Sequence, residues 1–524
     1  MTAGLAAMPR VLGAGLRVLG VFGLALLVSA HVGSPDVFFT GKAGRFEVSV
    51  VVRPPEVVPG VARVTVRGPA EIRRVTIRPV YWRAGSRGSP AADDMRLVSS
   101  TQATGFAKVL EGHPIKTFEG SLWLMSRGAY SVDVVVEGAT GSGNVMIPVA
   151  SVPTGRLALN TPLAAILIVL GVFLVTGLVN IVRKAAGESL LAPGKSLGDS
   201  GVRTTRIAGA VAVGVLAVAI FGGARWWSAV DTAYERGIYR PSLLQVSLAH
   251  GVLRLAAQDT QYLPGGRPST YVPDHDKLMH LFLVRDGDAR AFAHLHPRAD
   301  SAEIPEFTTT LPPLPAGRYF LYGDVVQETG FERTMRGVLQ VPQNAPTRFV
   351  KSDPDDAWYT GEASSTGSVT TAGGVVLTLA LDPATAPQAG AELMLNVRAK
   401  DAKGNPVLLE PYLGMTAHAV VLRLDGEVYI HLHPMGTVTM AAMDVFAARD
   451  RGDTTASGVL DVTPHAAMPG MAPVAQPVLG SATSFPYAFP KAGDYRVFVQ
   501  VKRNGRIETG AFAVTVGDAP PAAK

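Results

Sequence analysis

At 524 residues the chain is too long for a single hydrophobic core. Apolar residues make up 47% and charged residues only 17%, which suits a membrane protein with soluble parts. The formal net charge of +6, with no basic block interleaved with aromatics, argues against a nucleic-acid partner. Cysteine is absent, so disulfides and thiolate metal sites are excluded and any metal falls to His, Met, carboxylate or backbone groups.

Residues 1–30 contain an apolar run from Val18 to Ala30, preceded by Arg10 and Arg17 and ending in small residues, and read as a signal peptide or a retained anchor. Residues 31–155 alternate apolar and polar in short runs such as RFEVSVVV and ARVTVRG, broken by Pro and Gly, which is the pattern of an exported β-sandwich. The uncharged runs 157–182 and 207–224 are each long enough to span a bilayer. Between them, residues 183–206 carry Arg183, Lys184, Lys195, Arg203 and Arg206 against Glu188 and Asp199. That excess of positive charge places this loop in the cytoplasm and both flanking regions outside. Two more exported sandwiches are expected at 238–343 and 368–517, with a polar linker at 344–367 and a tail at 518–524. Strands opening with Gly-x-Tyr at Gly128, Gly317 and Gly493 recur in all three sandwiches. The expected fold class is therefore mainly β: three immunoglobulin-like or cupredoxin-like sandwiches, two transmembrane helices and an amino-terminal signal peptide.

Two stretches repeat a histidine pattern: HLFLVRDGDARAFAHLHP from His280 and HAVVLRLDGEVYIHLHP from His418. In the second, Asp425-Gly426 predicts a two-residue type I′ turn with Val420 opposite His431 and His418 opposite His433. Opposed residues and residues two apart share a sheet face, so His418, His431 and His433 do as well. In the first, a three-residue loop Asp286-Gly287-Asp288 pairs Arg285 with Ala289 and His280 with His294, again putting His280, His294 and His296 on one face. A slip of one residue would undo this. Three neutral imidazoles on one face make a surface site for copper or zinc. Met435, Met440, Met443, His465, Met468 and Met471 lie in an insertion of the third sandwich, and their soft thioethers rank copper ahead of zinc, although each methionine alone also serves as a core filler. Cleavage after Ala30 would expose the amine and ring of His31, which with His113 would form a Cu(II) set.

The phrases KLMHLFLVRDGDARAFAHLHP, PYLGMTAHAVVLRLDGEVYIHLHP and SPDVFFTGKAGRFEVSVVVRPPEVVPG resemble bacterial membrane-anchored envelope proteins with YtkA-like or cupredoxin-like domains, some associated with copper handling. The resemblance covers most of the exported chain. It implies an integral protein of the bacterial inner membrane whose domains face the periplasm or cell exterior, with His280, His294, His296, His418, His431 and His433 as ligands. It also implies other copper-handling envelope proteins as partners. A blue-copper centre is disfavoured without Cys. The chain carries no Gly-x-Ser-x-Gly, Walker-type loop or His-Glu-x-x-His, and Asp274, Asp276 and Glu410 form no acid/base pair, so binding, buffering or delivery of metal without enzymatic turnover is expected. The competing expectation is a structural or protein-interaction module of the cell envelope whose histidines brace the hairpins.

Overall fold

The computed structural model describes residues 36–101, 115–157, 159–189, 191–192, 194–257, 270–300, 306–343, 349–452 and 480–519. The expected signal peptide and His31, His113, His465, Met468 and Met471 lie outside the described residues. The chain is mainly β, with several antiparallel sheets and two long apolar helices.

In the amino-terminal region a five-stranded and a four-stranded sheet enclose one core that includes Phe46, Val64, Ile77, Val132 and Ile147. The strand Gly60–Pro69 shows how the sequence does this: Ala62, Val64 and Val66, two apart, are buried together. Helices α1 (Thr161–Glu188) and α2 (Asp199–Arg236) follow, with mean hydropathy 2.7 and 2.3 over their most apolar windows. They are long and apolar enough to cross a membrane, and with 0% and 6% of those windows buried they are not core helices. Both outrun the apolar runs read from sequence, because backbone hydrogen bonding continues after the side chains turn polar. Asn160 caps α1 by accepting from Leu163 N, with Pro162 in the first turn. Outside the apolar segments the stretch before α1 is tied to the end of α2 and the residues after it: Arg156 pairs with Asp231 at 3.4 Å and Glu235 at 3.2 Å, and Tyr239 N donates to Pro153 O at 2.7 Å.

Beyond α2 lie a ten-stranded sheet around Leu281, Leu283, Phe307 and Tyr319, and two four-stranded sheets around Leu395, Val421, Val497 and Phe512. The three Gly-x-Tyr strands, Gly128–Gly138, Gly317–Gln327 and Gly493–Arg503, each pair with the strand that follows. Their glycines sit at φ of 128°, 148° and 133°, where a side chain is strained. Each tyrosine hydroxyl reaches back four residues, to Ser126 N, Pro315 O and Lys491 O.

Two expectations change here. The segment read as a linker contains a strand, Ala357–Thr360, paired with Ala291–Leu295, and the turn before it places Asp353 on Lys277 and Asp356 on His296. Its polar composition reflects carboxylates facing bases, not a loose spacer. The described part of the expected insertion contains helix α3 (Met440–Arg451), capped by Thr439 and closed by left-handed Gly452. Met435, before α3, and Met443, within it, pack with Val438 against the amino-terminal core. There Thr40 N donates to Met435 O at 2.7 Å, Thr437 N donates to Phe38 O at 3.0 Å, and Arg53 and Arg67 both pair with Glu392. The region before α1 is thereby docked on the region after α2.

Candidate metal centre

In the first histidine hairpin, His280–Arg285 pairs with Ala291–Leu295 so that Leu281 faces Leu295 and Phe282 faces His294. This puts His280 opposite position 296, two residues from the expected register. The loop is longer than three residues because both Gly287 (φ 85°) and Ala289 (φ 51°) turn left-handed, and Ala289 N closes on Arg285 O at 3.1 Å. A shift of two leaves the face unchanged, so His280, His294 and His296 remain together. In the second hairpin Val420 faces His431 as expected. The turn is not type I′, however, since of its two central residues only Gly426 (φ 72°) is left-handed. Asp425 instead uses its side chain to accept from Glu427 N at 2.9 Å.

Alternation sends Leu281, Leu283, Ala293 and Leu295 into one core and Ala419, Val421, Ile430 and Leu432 into another. The opposite faces of the two hairpins meet each other through Phe282, Phe292, Tyr322, Val420, Tyr429 and Phe498. They meet about a local two-fold: Phe292 stacks on Phe498 at 4.3 Å and their counterparts Tyr429 and Tyr322 stack at 4.1 Å. The expected surface site is therefore buried. All six histidines are at most 7% exposed, because each histidine face covers the other.

The two triads are near copies. Ring centroids in His280, His294 and His296 are 5.4, 5.1 and 4.5 Å apart, and in His418, His431 and His433 they are 5.2, 5.1 and 4.6 Å apart. Each triad offers three ligand atoms within 4.8 Å of one another. Across the interface His280 lies 5.4 Å from His431, and His294 lies 6.5 Å from His418.

The nitrogens divide into an outer and an inner set. The outer nitrogens face protein acceptors: His280 Nε2 to Asp274 O (3.2 Å), His294 Nδ1 to Gln500 Oε1 (2.8 Å) and His296 Nδ1 to Asp356 Oδ1 (3.2 Å). In the second triad His418 Nε2 faces Tyr412 O (3.1 Å), His433 Nδ1 faces Val438 O (3.1 Å) and His431 Nδ1 lies 3.8 Å from Asp324 Oδ2. Carbonyl and carboxylate oxygens only accept, so the five outer nitrogens within hydrogen-bond distance carry the hydrogens and a neutral ring keeps its lone pair inward; His431 Nδ1, beyond that distance from Asp324, is assigned by its match to His294. The inner nitrogens are Nδ1 of His280 and His418 and Nε2 of the other four. His280 Nδ1 and His294 Nε2 are 3.1 Å apart, as are His418 Nδ1 and His431 Nε2, while His296 Nε2 and His433 Nε2 have no hydrogen-bond partner. Two lone pairs at that distance call for a cation between them, and about 3.3 Å separates two nitrogens on a tetrahedral ion with bonds of about 2.0 Å. Anchored outer nitrogens are also what orients ligating imidazoles.

The electrostatics agree with this assignment. Burial holds His280, His294, His418 and His431 well below the ordinary histidine range, and lowers His296 to about 3 and His433 to about 4. Six neutral rings have no proton for a metal to displace at neutral pH. Burial also raises Asp324 to about 6, Asp356 to about 6 and Glu332 to about 7. Burial pushes the Asp274 carboxyl up as well, yet it stays below its usual range, with Ala441 N donating to it at 3.0 Å. A cavity of about 60 Å³ between the hairpins touches His280, His431 and His433 beside Asp274, Asp324 and Glu332.

Within each hairpin the three histidines are brought together as the alternation predicts; the meeting of the two triads is not something the alternation predicts. Met435 and Met443 are occupied in the amino-terminal core and Met440 opens α3, so the first two lend no support to the thioether argument for copper, while Met468 and Met471 lie outside the described residues. The outer partners Asp274, Tyr412, Gln500, Asp324 and Asp356, and a seventh histidine, His275, were not singled out as site residues. One signal for two of them is present in the sequence: Asp274 and Tyr412 each stand six residues before the first histidine of their hairpin.

The family "Domain of unknown function (DUF8832)" matches residues 370–518, which include the second triad. No curated protein matches the chain. Among solved structures, a tetra-tandem repeat from the extending region of a large adhesion protein is 8% identical, covering 88% of this chain and 71% of that one at a TM-score of 0.14. A protein of Corynebacterium diphtheriae described as membrane anchored is 9% identical, covering 93% and 97% at a TM-score of 0.15. Dimeric latent PorU from Porphyromonas gingivalis is 8% identical, covering 88% and 32% at 0.14. At these scores none of the three carries an argument.

Proposed function

We propose that this is a membrane-anchored, extracytoplasmic metal-binding protein that holds one ion in each histidine triad and buffers or delivers it without chemical turnover. The observation that carries this reading is the division of nitrogens: outer atoms anchored, inner lone pairs converging, in both copies. Copper is the favoured ion and zinc the alternative. The inner donors are all neutral imidazole, and copper stands highest in affinity for such nitrogen sites. The membrane placement is supported by α1 and α2 together with the docking of Phe38–Thr40 on Met435–Thr437. This docking requires the two helices to return the chain to one side, and the basic loop between them puts that side outside the cytoplasm. Three β-sandwich units, each closed by a Gly-x-Tyr hairpin, fit the same reading.

The test is an anaerobic Cu(I) titration of the full chain in detergent, repeated with Zn(II). Two equivalents are expected per chain, falling to one in His294→Ala and in His431→Ala. Failure to bind either metal would make the imidazoles braces between the hairpins.

A further inference from the structure

Seven imidazoles, not six, fill the space between the hairpins. His275 belongs to the tight turn Asp274–Lys277 before the first hairpin, and its counterpart before the second is Tyr412–Met415. The two turns share their backbone: His275 at φ 51° and Asp276 at 65° match Leu413 at 49° and Gly414 at 73°. The residues at the matching position differ, and of His275 and Leu413 only His275 offers a donor. A left-handed conformation costs a residue with a side chain roughly 1–2 kcal/mol, so this histidine is held where the backbone resists it. Its side chain is 9% exposed and its Nε2 has no hydrogen-bond partner. It reaches over the opposite half of the interface, with its ring 5.5 Å from His418 and 5.6 Å from His433.

Asp274, His275 and His433 bring three donor atoms within 4.8 Å of one another, and Asp274 Oδ2 is 3.9 Å from His275 Nε2. The other Asp274 oxygen accepts from Ala441 N at 3.0 Å, which fixes the carboxylate against α3. Asp274 and His433 also border the 60 Å³ cavity.

We propose that Asp274, His275 and His433 form an outer cation site sharing His433 with the second triad, and that an ion passes between cavity and triad by exchanging donors around His433. His433 has a single inward lone pair, so the outer and inner positions are alternatives for one ion. Moving inward exchanges Asp274 and His275 for His418 and His431, and the ion keeps a protein donor throughout. A carboxylate makes the outer set harder than three imidazoles, so a soft ion such as Cu(I) rests inside and pauses outside. The first triad lacks the matching step: Leu413 offers no donor, and the carboxylates beside His296, Asp353 and Asp356, face its hydrogen-bearing Nδ1 and not the inward lone pair. The second triad therefore exchanges its ion quickly and the first slowly.

This inference rests on the metal-binding reading, and one experiment separates the two. His275→Leu installs the residue that the matching turn already carries at the same backbone angle, so the turn is kept. The full chain in detergent is loaded with Cu(I), and release to a chromogenic chelator is followed by stopped flow. The wild type should release its ions in a fast and a slow phase. His275→Leu should still hold two ions while its fast phase slows about tenfold, on the scale of removing a single supporting group from a metal site. Leu413→His should accelerate the slow phase. Equal rates in wild type and His275→Leu would overturn the proposal. So would loss of an equivalent in His275→Leu, which would make His275 a resident ligand. A wild type that binds no Cu(I) would instead defeat the metal-binding reading itself.

Discussion

The two triads agree in their inner atoms and differ in their surroundings. Ring separations match within 0.2 Å, from 5.4 against 5.2 Å to 4.5 against 4.6 Å. In the first triad the carboxylate partner, Asp356, stands behind His296, while His294 is held by the neutral amide of Gln500. In the second the carboxylate, Asp324, stands near His431, while His433 is held by a backbone carbonyl. Two of the outer partners also cross the interface: Gln500 belongs to the strand beside His418 and Asp324 to the strand beside His280. Each half thus supplies its own inner donors and tunes the donors of the other half. Neither triad has its full set of partners until the hairpins dock.

That comparison breaks most visibly when an inner donor is removed. His294→Ala should abolish binding at the first triad and leave the second, and His431→Ala should do the reverse. In each case affinity at the altered site should drop by more than about 100-fold in competition with a chelator. The next largest effect is on docking. Phe292→Ala removes one of the two stacked pairs and should destabilise the metal-free protein by about 3–5 kcal/mol in chemical denaturation. It should weaken both sites together, because both depend on partners from across the interface.

Acid should act on the same buried rings. All six have folded pKa values below the unfolded value of about 6.5, so below that pH the unfolded chain binds more protons. The stability they contribute is complete above about pH 6.5 and falls as pH drops toward about 4 and 3, the values of His433 and His296. Asp324, Asp356 and Glu332, raised to about 6, 6 and 7, act in the opposite direction, but three carboxylates do not offset six imidazoles. Denaturation midpoints of the metal-free protein should therefore fall between pH 7 and pH 5, and a rise would contradict the neutral-ring assignment. A smaller effect is expected from Gln500→Leu, which should weaken only the first triad, by about 10–100-fold, since its amide holds His294 from outside. The smallest belongs to Met435→Leu, a swap of similar volume against an apolar core. It should cost under about 1.5 kcal/mol and leave metal affinity unchanged.

What was legible in the sequence was local. Alternation placed three histidines on one face of each hairpin, and this held even where the register moved by two, because a two-residue shift preserves the face. Turn geometry was less legible: Ala289 adopts a left-handed angle that its composition does not announce, and Asp425 prefers a side-chain bond to the left-handed turn. The docking of one hairpin on the other was not legible, since nothing in either stretch says which surface will cover it. The same holds for Met435 and Met443. Met435 and Met443 are occupied by a core built from strands some 300 to 400 residues earlier, near Phe46 and Val64, and sequence proximity to His-x-His concealed this. His275 combined both difficulties, an unfavourable backbone angle in its own turn and ligand partners from a different hairpin.

X-ray absorption of the Cu(I)-loaded full chain tests the central claim most directly, because it reports the donors themselves. The account predicts two copper ions per chain surrounded by nitrogen at about 2.0 Å, with the outer-shell scattering of imidazole rings and no sulfur. A sulfur shell would return the thioethers to the site and contradict the account. Copper without imidazole scattering would contradict it equally.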